Sequence, residues 1–411
     1  MDPNFKIIDQ SVDRVFHFTT DIIEQLSQCQ YMTRISYRVE DTETATAPAK
    51  FVQNLINSKH YEPLEFVSIY ADLEKDTATN IDLSSLKKFL DRKAADPQNA
   101  HVRKYFPITV FTLRELVEWY DSLNTGNTFN IWHDGNSTHS FLYWQEVCKR
   151  IVGNKYMSEL FKKRPELVNY LVRVKWAVTT NRQIGTEITR HRSLSKNWES
   201  TRHCDYSNKS KFDSIQICDP ELYSQCIKGQ LTPENADIIN DIKYIADAYM
   251  RISASGNKVQ AAYILPSCTA VKIAFAGFWD NVNVVALKRT SNYCGKPHDD
   301  AKVLMAEVAN ELHAHTFAGV YLGETSSNDR SEGTRNTTQK VPNEACERLF
   351  RIILNIPEDA RRRIIEEFGD DAKPNDDNVQ KQSNEKEEEE VKTQEDDIDD
   401  FLRFLLALSC R

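Results

Sequence analysis

Apolar residues recur at two different spacings along most of the chain. Helical spacing predicts helices over 21–29, 49–58, 113–123, 141–152, 233–254 and 298–313. Alternating or continuous apolar runs predict strands over 5–8, 66–70 and 167–177. In the two longest helices, the predicted core residues are Ile238, Ile242, Ile245, Tyr249, Val303, Val308 and Leu312. This mixture of helices and strands indicates a folded body.

The length and the changes of composition suggest four segments. A chain of 411 residues exceeds the usual size of one hydrophobic core. We expect a main domain over 1–322, in which 74–165 forms an insertion of helices and polar loops without recognisable chemistry. A linker rich in Ser, Asn, Thr and Gly follows over 323–342, and a small helical hairpin over 343–369.

Residues 370–411 form an acidic tail with an apolar end. Ile398, Phe401, Phe404, Leu405 and Leu408 follow the acidic run at helical spacing. A terminal segment of this kind, over 397–410, is typical of a helix that docks in the groove of a protein partner. The alternative is a frayed terminus without a partner.

Charge and cysteine usage narrow the class of protein. The formal net charge of -9 argues against a nucleic-acid coat, which needs a broad cationic face. No stretch is apolar enough to cross a membrane, and the start lacks a secretory signal. The nine cysteines contain no C-x-x-C pair, which favours free thiols in a reducing compartment, and no metal-ligand spacing is present. We therefore expect a soluble, intracellular, cytoplasmic protein.

The densest chemical signal lies where the helix after the 167–177 strand ends, with Thr179 or Thr180 as its predicted cap. Residues 190–203 hold Arg190, His191, Arg192, Arg202 and His203, with Glu187, Glu199 and Ser200 beside them. Arginine forks pair bidentately with phosphates and with carbonyl edges of planar rings, so a nucleotide would offset this charge. The alternative is a solvated helix end whose arginines pair with the nearby glutamates.

Arg190-His191-Arg192 followed, after seven intervening residues, by Ser200 resembles the hallmark motif of flavin-dependent thymidylate synthases. IGTEITRHR and ESTRHCDYS around the motif are similar to the longer, phage-type, viral branch of that family. Four further segments of the chain each resemble a block of that family, and they occur in the same order as in the family. They are FKIIDQSV, AKFVQNLINSKHYEPLEF, AAYILPSCTAVKIAFAGF and LKRTSNYCGKPHDDAKVLMAEVANEL.

The resemblance implies a fold and a reaction. The implied fold is α/β (α+β), a twisted, mainly antiparallel sheet flanked by helices, here with a helical insertion and a disordered acidic tail. Its members are homotetramers with sites between subunits. The implied reaction is reductive methylation of dUMP to dTMP, in which FAD is the cofactor, methylenetetrahydrofolate the carbon donor and NADPH the reductant.

The resemblance also implies residue roles. The residues expected to bind the flavin are Arg190, His191, Arg192, His298, His60 and Glu62. Those expected to bind dUMP are Glu187, Arg190, Glu199, Ser200, Thr201, Arg202 and Arg289. Arg289 is also the expected catalytic residue, because a guanidinium on the uracil edge stabilises negative charge and makes C5 a better nucleophile.

Some positions depart from the family pattern. Ala262 stands where the family has a phosphate-binding arginine, and Phe278, Trp279 and Asp280 stand where it has flavin contacts. Three alternatives follow: an active synthase, an enzyme acting on another pyrimidine nucleotide, or a repurposed binding protein. His298 could instead cap its helix, and His60 could be a satisfied buried histidine.

Overall fold

The computed structural model describes residues 4–316, apart from 43, 78–80, 133–138, 202 and 291–296. Its strands are β1 (Phe5–Ile8), β2 (Ser11–Phe16), β3 (Ser68–Asp72), β4 (Arg103–Tyr105), β5 (Ile108–Thr112), β6 (Arg173–Asn181), β7 (Ser195–Trp198), β8 (Ile215–Cys218) and β9 (Ala270–Phe278). Its helices are α1 (Ile22–Arg34), α2 (Pro48–Asn57), α3 (Ser84–Ala95), α4 (Leu113–Ser122), α5 (His139–Lys149), α6 (Asn154–Lys163), α7 (Glu166–Leu171), α8 (Arg182–Thr189), α9 (Pro220–Lys228), α10 (Pro233–Ala254), α11 (Lys258–Tyr263), α12 (Trp279–Thr290) and α13 (Asp299–Thr316). Two 3₁₀ turns span Ile35–Tyr37 and Glu62–Phe66.

The strands form three sheets. A four-stranded sheet runs β2-β6-β9-β7 and a three-stranded sheet runs β3-β5-β4, both antiparallel throughout. β1 and β8 pair in parallel. The described residues therefore confirm a mixed α/β fold with mostly antiparallel sheets and flanking helices.

The four-stranded sheet separates two cores because its central strands alternate. Val174, Trp176 and Val178 of β6 and Val271, Ile273 and Phe275 of β9 belong to one core, which α12 and α13 complete. Ala177, Ala274 and Ala276 face the second core, together with Leu26, Cys29 and Met32 of α1. The alternation of large and small side chains follows the two-residue period of a strand. Trp176 and Phe275 stack across β6 and β9 at 5.2 Å between ring centroids.

The predicted helical insertion also contains strands. β5 pairs with β3 outside the insertion and with β4 inside it. Phe111, Leu116 and Trp144 from the insertion share a buried core with α1 and α2. The insertion therefore shares a core with the residues that precede it, and its strand β5 is the pairing partner of β3.

The structure differs from the predicted strand over 167–177. Residues 166–171 form α7, since Leu167, Val168 and Leu171 are buried at helical spacing after Pro165, and β6 begins only at Arg173. The cap of α8 is Asn181 and not Thr179 or Thr180, because the Asn181 side chain accepts a hydrogen bond from the Ile184 amide at 2.8 Å. The predicted strand began too early, because α7 also carries branched apolar residues, and it ended too early, because β6 continues to Asn181.

Some predicted core positions are on the surface. Ile238 of α10 and Val303 of α13 are exposed, whereas Ile242, Tyr249, Val308 and Leu312 are buried as predicted. The stretch after Tyr206, predicted as a polar connection, contains β8 and the start of α9. The predicted linker, hairpin and acidic tail lie outside the described residues. None of the described helices combines the length and apolar character that a membrane span requires.

Gly185 allows α8 to lie close to the four-stranded sheet. A Cβ at this position would lie 2.6 Å from Ile273 Cδ1 and 2.9 Å from Trp198 Cη2. Such distances are shorter than any van der Waals contact, so only glycine permits this approach. The position of α8, and of the residues that follow it, depends on this contact.

We predict that Gly185→Ala destabilises the protein by about 1–3 kcal/mol through overpacking. Helix propensity alone predicts the opposite sign, a gain of up to about 1 kcal/mol. Urea unfolding measures the difference. Ile273→Val removes the nearest methyl group and should recover part of the loss in the double variant. A single variant as stable as the natural protein would show that α8 can shift without cost.

Lys175 is fully buried between the sheet and α1. Its Nζ donates to Gln28 Oε1 at 2.9 Å and to Gln25 Oε1, both neutral amides. Burial, and then the neighbouring Arg173, lower the pKa of Lys175 from 10.5 to about 7. The folded state therefore binds this proton more weakly than the unfolded state between pH 7 and 10.5. Stability from this group rises with pH across that window.

We predict that Lys175→Met is more stable than the natural protein at pH 7, by about 1–2 kcal/mol. The difference should shrink as pH rises from 7 toward 10.5, because deprotonating the unfolded lysine then costs progressively less. Urea unfolding at pH 7 and at pH 9.5 tests both statements. Lys104→Met, at an exposed site, is the matched control and should show no such pH dependence. A constant difference at the two pH values would contradict the prediction.

Candidate anion site

The end of α8 positions the arginine motif. β6 is buried along its whole length and passes at Asn181 directly into α8, an eight-residue helix. Arg190 is its C-cap, and the His191 amide donates to the Ile188 carbonyl oxygen at 3.4 Å. Arg190 and Arg192 are exposed, whereas His191 is half-buried. The motif therefore lies in the turn that joins α8 to β7.

Arg289, at the end of α12, joins that helix to α8. Its Nη1 donates to Glu187 Oε1 at 2.9 Å and its Nη2 to the Glu187 carbonyl oxygen at 2.9 Å. Its Nε donates to His191 Nε2 at 3.1 Å. The Arg289 and Glu187 side chains are 17% and 18% exposed. Three of the predicted site residues, far apart in sequence, are thus in direct contact.

His191 is neutral at physiological pH. Burial, and then the nearby charges of Arg289, Lys288 and Lys196, lower the pKa of His191 from 6.5 to about 4. Since an arginine Nε can only donate, His191 Nε2 is the acceptor and the ring proton is on Nδ1. The imidazole is therefore a neutral group surrounded by cations.

The charges around His191 are mostly positive. The cationic side chains are Arg190, Arg192, Lys196, Lys288 and Arg289, which we call the α8 cluster. Burial, and then Arg192, lower the pKa of Lys196, although Glu65 acts against them. Lys196 Nζ donates to the Thr189 carbonyl oxygen, as a cation at a helix C-terminus does. Within the described residues Arg190 and Arg192 form no ion pair. The cluster can therefore attract an anion.

Glu199 lies in a separate, buried network. Its side chain is 0% exposed. It accepts from Arg38 Nε at 2.7 Å, from Tyr206 Oη at 2.6 Å and from the Lys272 amide at 3.1 Å. Burial, and then Glu199, raise the pKa of Tyr206. With this many partners Glu199 holds β7, β9 and the first 3₁₀ turn together, and its role in nucleotide binding stays a prediction.

The residues after Glu199 lie against the first 3₁₀ turn. The Ser200 amide donates to the Ser36 carbonyl oxygen at 3.0 Å. The ring of His203 packs on Tyr37 with 4.6 Å between centroids. Thr201 is half-buried, and Arg202 lies outside the described residues. Their predicted contacts with a nucleotide are untested.

His60, Glu62 and His298 lie at the surface. The His60 and Glu62 side chains are 59% and 72% exposed, and 3.8 Å separates His60 Nε2 from Glu62 Oε2. No hydrogen bond or ion pair joins this pair to the α8 cluster in the described part of the chain. His298 approaches it, since its amide lies 3.5 Å from Glu187 Oε2. Its Nδ1 lies 3.5 Å from Asp300 Oδ2, beside the first turn of α13.

Lys196 and Lys288 were missed by sequence reasoning. Their signal was present, because each is a cation next to a predicted site segment. His101, which contacts Arg173 at the start of β6, and Arg103, which pairs with Asp280 in the first turn of α12, had no such signal. They lie in the insertion, many residues away from their partners in sequence.

Comparisons with known proteins return distant structural neighbours. No family model matches the chain, and no curated protein matches it. Two solved structures of the UMP/dUMP methylase PolB from Streptomyces cacaoi, bound with 5-Br UMP and 5-Br dUMP, each match with a TM-score of 0.29 and 12% identity. The first match covers 41% of this chain and 80% of that one, and the second covers 44% and 84%.

These comparisons correct the predicted family. Membership of the flavin-dependent thymidylate synthases is not upheld, because no family model matches and the neighbours described are structures of a UMP/dUMP methylase. The likeness to that methylase is distant and carries no conclusion about this chain. The chemistry of the α8 cluster is therefore argued from its own residues.

We predict that Arg289→Met raises the pKa of His191 by about one unit or more, since it removes a nearby positive charge. An NMR titration of the His191 ring measures this shift. Lys104→Met, whose charge pairs with Asp91 in the insertion, is the control and should leave the His191 pKa unchanged. An unchanged or lower His191 pKa in Arg289→Met would show that burial alone keeps the ring neutral.

Proposed function

We propose that the α8 cluster binds the phosphate of a pyrimidine nucleotide and that the protein methylates the pyrimidine ring. One observation carries the first half of this proposal: the guanidinium groups of Arg190 and Arg192 are exposed and form no ion pair within the described residues, beside the other cations of the α8 cluster. Such uncompensated positive charge is costly unless an anion is bound. The proposed substrate is dUMP.

The donors of the cluster suit a phosphate monoester. The exposed guanidinium groups of Arg190 and Arg192 can form paired hydrogen bonds with phosphate oxygens. His191 offers its Nδ1 hydrogen without adding charge, because its Nε2 already accepts from Arg289. A nucleotide bound there would have its phosphate beside the turn between α8 and β7.

Arg289 retains donors for the pyrimidine ring. Its Nε, Nη1 and Nη2 each make one hydrogen bond, and each Nη carries a second hydrogen. Glu187 and His191 fix the plane of the guanidinium. A ring carbonyl placed against the remaining hydrogens would have its developing negative charge stabilised, which favours attack from C5.

FAD, methylenetetrahydrofolate and NADPH are proposed as cofactor and co-substrates of this methylation. The guanidinium groups of Arg190 and Arg192 also suit a pyrophosphate, but in this proposal they hold the dUMP phosphate and are not assigned to the flavin. His60 and Glu62 contact each other and have no hydrogen bond or ion pair with Arg190 or Arg192 among the described residues, so they do not support flavin binding at this site. When bound, a reduced flavin would supply hydride.

A second candidate is a nucleotide-binding protein without turnover. The closed network of Glu199 favours it, since a predicted substrate ligand is fully occupied by Arg38, Tyr206 and Lys272. Release of tritium from 5-labelled dUMP, with methylenetetrahydrofolate, FAD and NADPH present, distinguishes the two. Binding without release supports the second candidate.

We predict that dUMP binds and that deoxyuridine, which lacks the phosphate, does not bind measurably. Arg192→Met should weaken dUMP binding about tenfold or more, since a hydrogen bond between charged groups is worth about 1.5–3 kcal/mol. Added salt should also weaken binding by screening. Isothermal titration calorimetry measures these affinities.

Arg251→Met, on the exposed surface of α10, is the matched control and should bind dUMP as the natural protein does. Equal affinity for dUMP and deoxyuridine would remove the phosphate from the proposal. Failure of the natural protein to bind either ligand would refute nucleotide binding at the α8 cluster.

A further inference from the structure

His101 connects the insertion to the four-stranded sheet. Its Nδ1 lies 3.2 Å from Arg173 Nη1, and its Nε2 lies 3.7 Å from Glu65 Oε2. The side chains of His101 and Glu65 are 18% and 13% exposed. An insertion without recognisable chemistry thus places an imidazole against the first residue of β6.

Arg173 is a buried guanidinium held mainly by neutral groups. It is 3% exposed and forms no ion pair within the described residues. Its Nη2 donates to the Glu65 carbonyl oxygen at 3.1 Å and to Ser195 Oγ at 3.2 Å. A buried arginine that loses an acceptor is destabilised, so each of these partners matters.

His101 is suited to accept from Arg173. Burial, and then Arg173, lower the pKa of His101 to about 4, so its ring is neutral. An arginine can only donate, which makes Nδ1 the acceptor and leaves the hydrogen on Nε2, toward Glu65. Arg114 and Glu118 of α4 complete the charges around the ring.

The contacts of Arg173 lead to the α8 cluster. Ser195 is the first residue of β7 and pairs with Ala276 of β9. Lys196 follows it directly, and Arg192 precedes it by three residues. Lys196 lies within the electrostatic influence of both Glu65, which attracts it, and Arg192, which repels it more weakly. The start of β7 is therefore where the two cations Arg192 and Lys196 are brought together.

The insertion makes a second contact of the same kind. Arg103 of β4 pairs with Asp280 at 3.0 Å and lies over the rings of Tyr170 and Phe278. Asp280 is in the first turn of α12, the helix that carries Lys288 and Arg289 near its end. The insertion thus contacts α12 directly and reaches β7 through Arg173.

We propose that His101 is a positioning residue of the anion site, which acts through Arg173 and Ser195 to hold Arg192 and Lys196 side by side. The insertion is then part of the binding apparatus. This inference depends on the proposed nucleotide binding for the identity of the ligand, but the ordering of residues 190–198 is measurable without any ligand.

The test combines hydrogen exchange, followed by mass spectrometry, with dUMP affinity. His101→Leu should speed exchange in residues 190–198 about tenfold and weaken dUMP about tenfold, because Arg173 loses an acceptor. His101→Asn places an amide oxygen near the position of Nδ1 and should restore both. Ser195→Ala, a small change, should speed the same exchange, and its effect should not add to that of His101→Leu.

Val147→Ala is the matched control, since Val147 is buried in the insertion and belongs to the core shared with α1 and α2. It should lower the melting temperature without speeding exchange in residues 190–198. Unchanged exchange there in both His101→Leu and Ser195→Ala would overturn the inference, whether or not dUMP binds. Altered exchange in a protein that does not bind dUMP would support the positioning role and refute the proposed function alone.

Discussion

The fork of Arg289 onto Glu187 and His191 is the interaction on which the candidate site depends. It joins the end of α12 to the end of α8 and uses the carboxylate of Glu187, a backbone carbonyl oxygen and an imidazole at once. Because Glu187 is thereby paired with Arg289, its carboxylate does not offset the charges of Arg190 and Arg192. Burial, and then the charge of Arg289, lower the pKa of His191 and disfavour protonation of its ring. One contact therefore sets both the shape and the charge of the site.

Two constraints outside the site allow this contact. Gly185 brings α8 close to β9, so that Glu187 comes within reach of Arg289. Ser195 and Arg173 fix the start of β7, where the chain returns from the arginine motif. The helix and the strand on either side of Arg190, His191 and Arg192 are therefore both anchored. A turn between two anchored elements is suited to present charged side chains without large rearrangement.

Local patterns predicted much of the fold and part of the site. Helical spacing located α10 and α13, and the clustering of arginines identified the turn after α8. The contact of Arg289 with His191 has no local pattern, and only the resemblance placed Arg289 at the site. The contacts of Glu199 with Arg38 and Tyr206 depend on tertiary packing, so no local pattern in the sequence predicts that this carboxylate is buried. The contact of His101 with Arg173 could not be predicted for the same reason, since the two residues are 72 positions apart in the chain.

The most direct test of the account is the pKa of His191 measured by NMR with and without nucleotide. If a phosphate binds among these cations, its negative charge favours the protonated ring. Saturating dUMP should therefore raise the pKa of His191, and deoxyuridine at the same concentration should leave it unchanged. A His191 pKa that does not move when dUMP is bound would contradict the account, since the phosphate would then lie elsewhere.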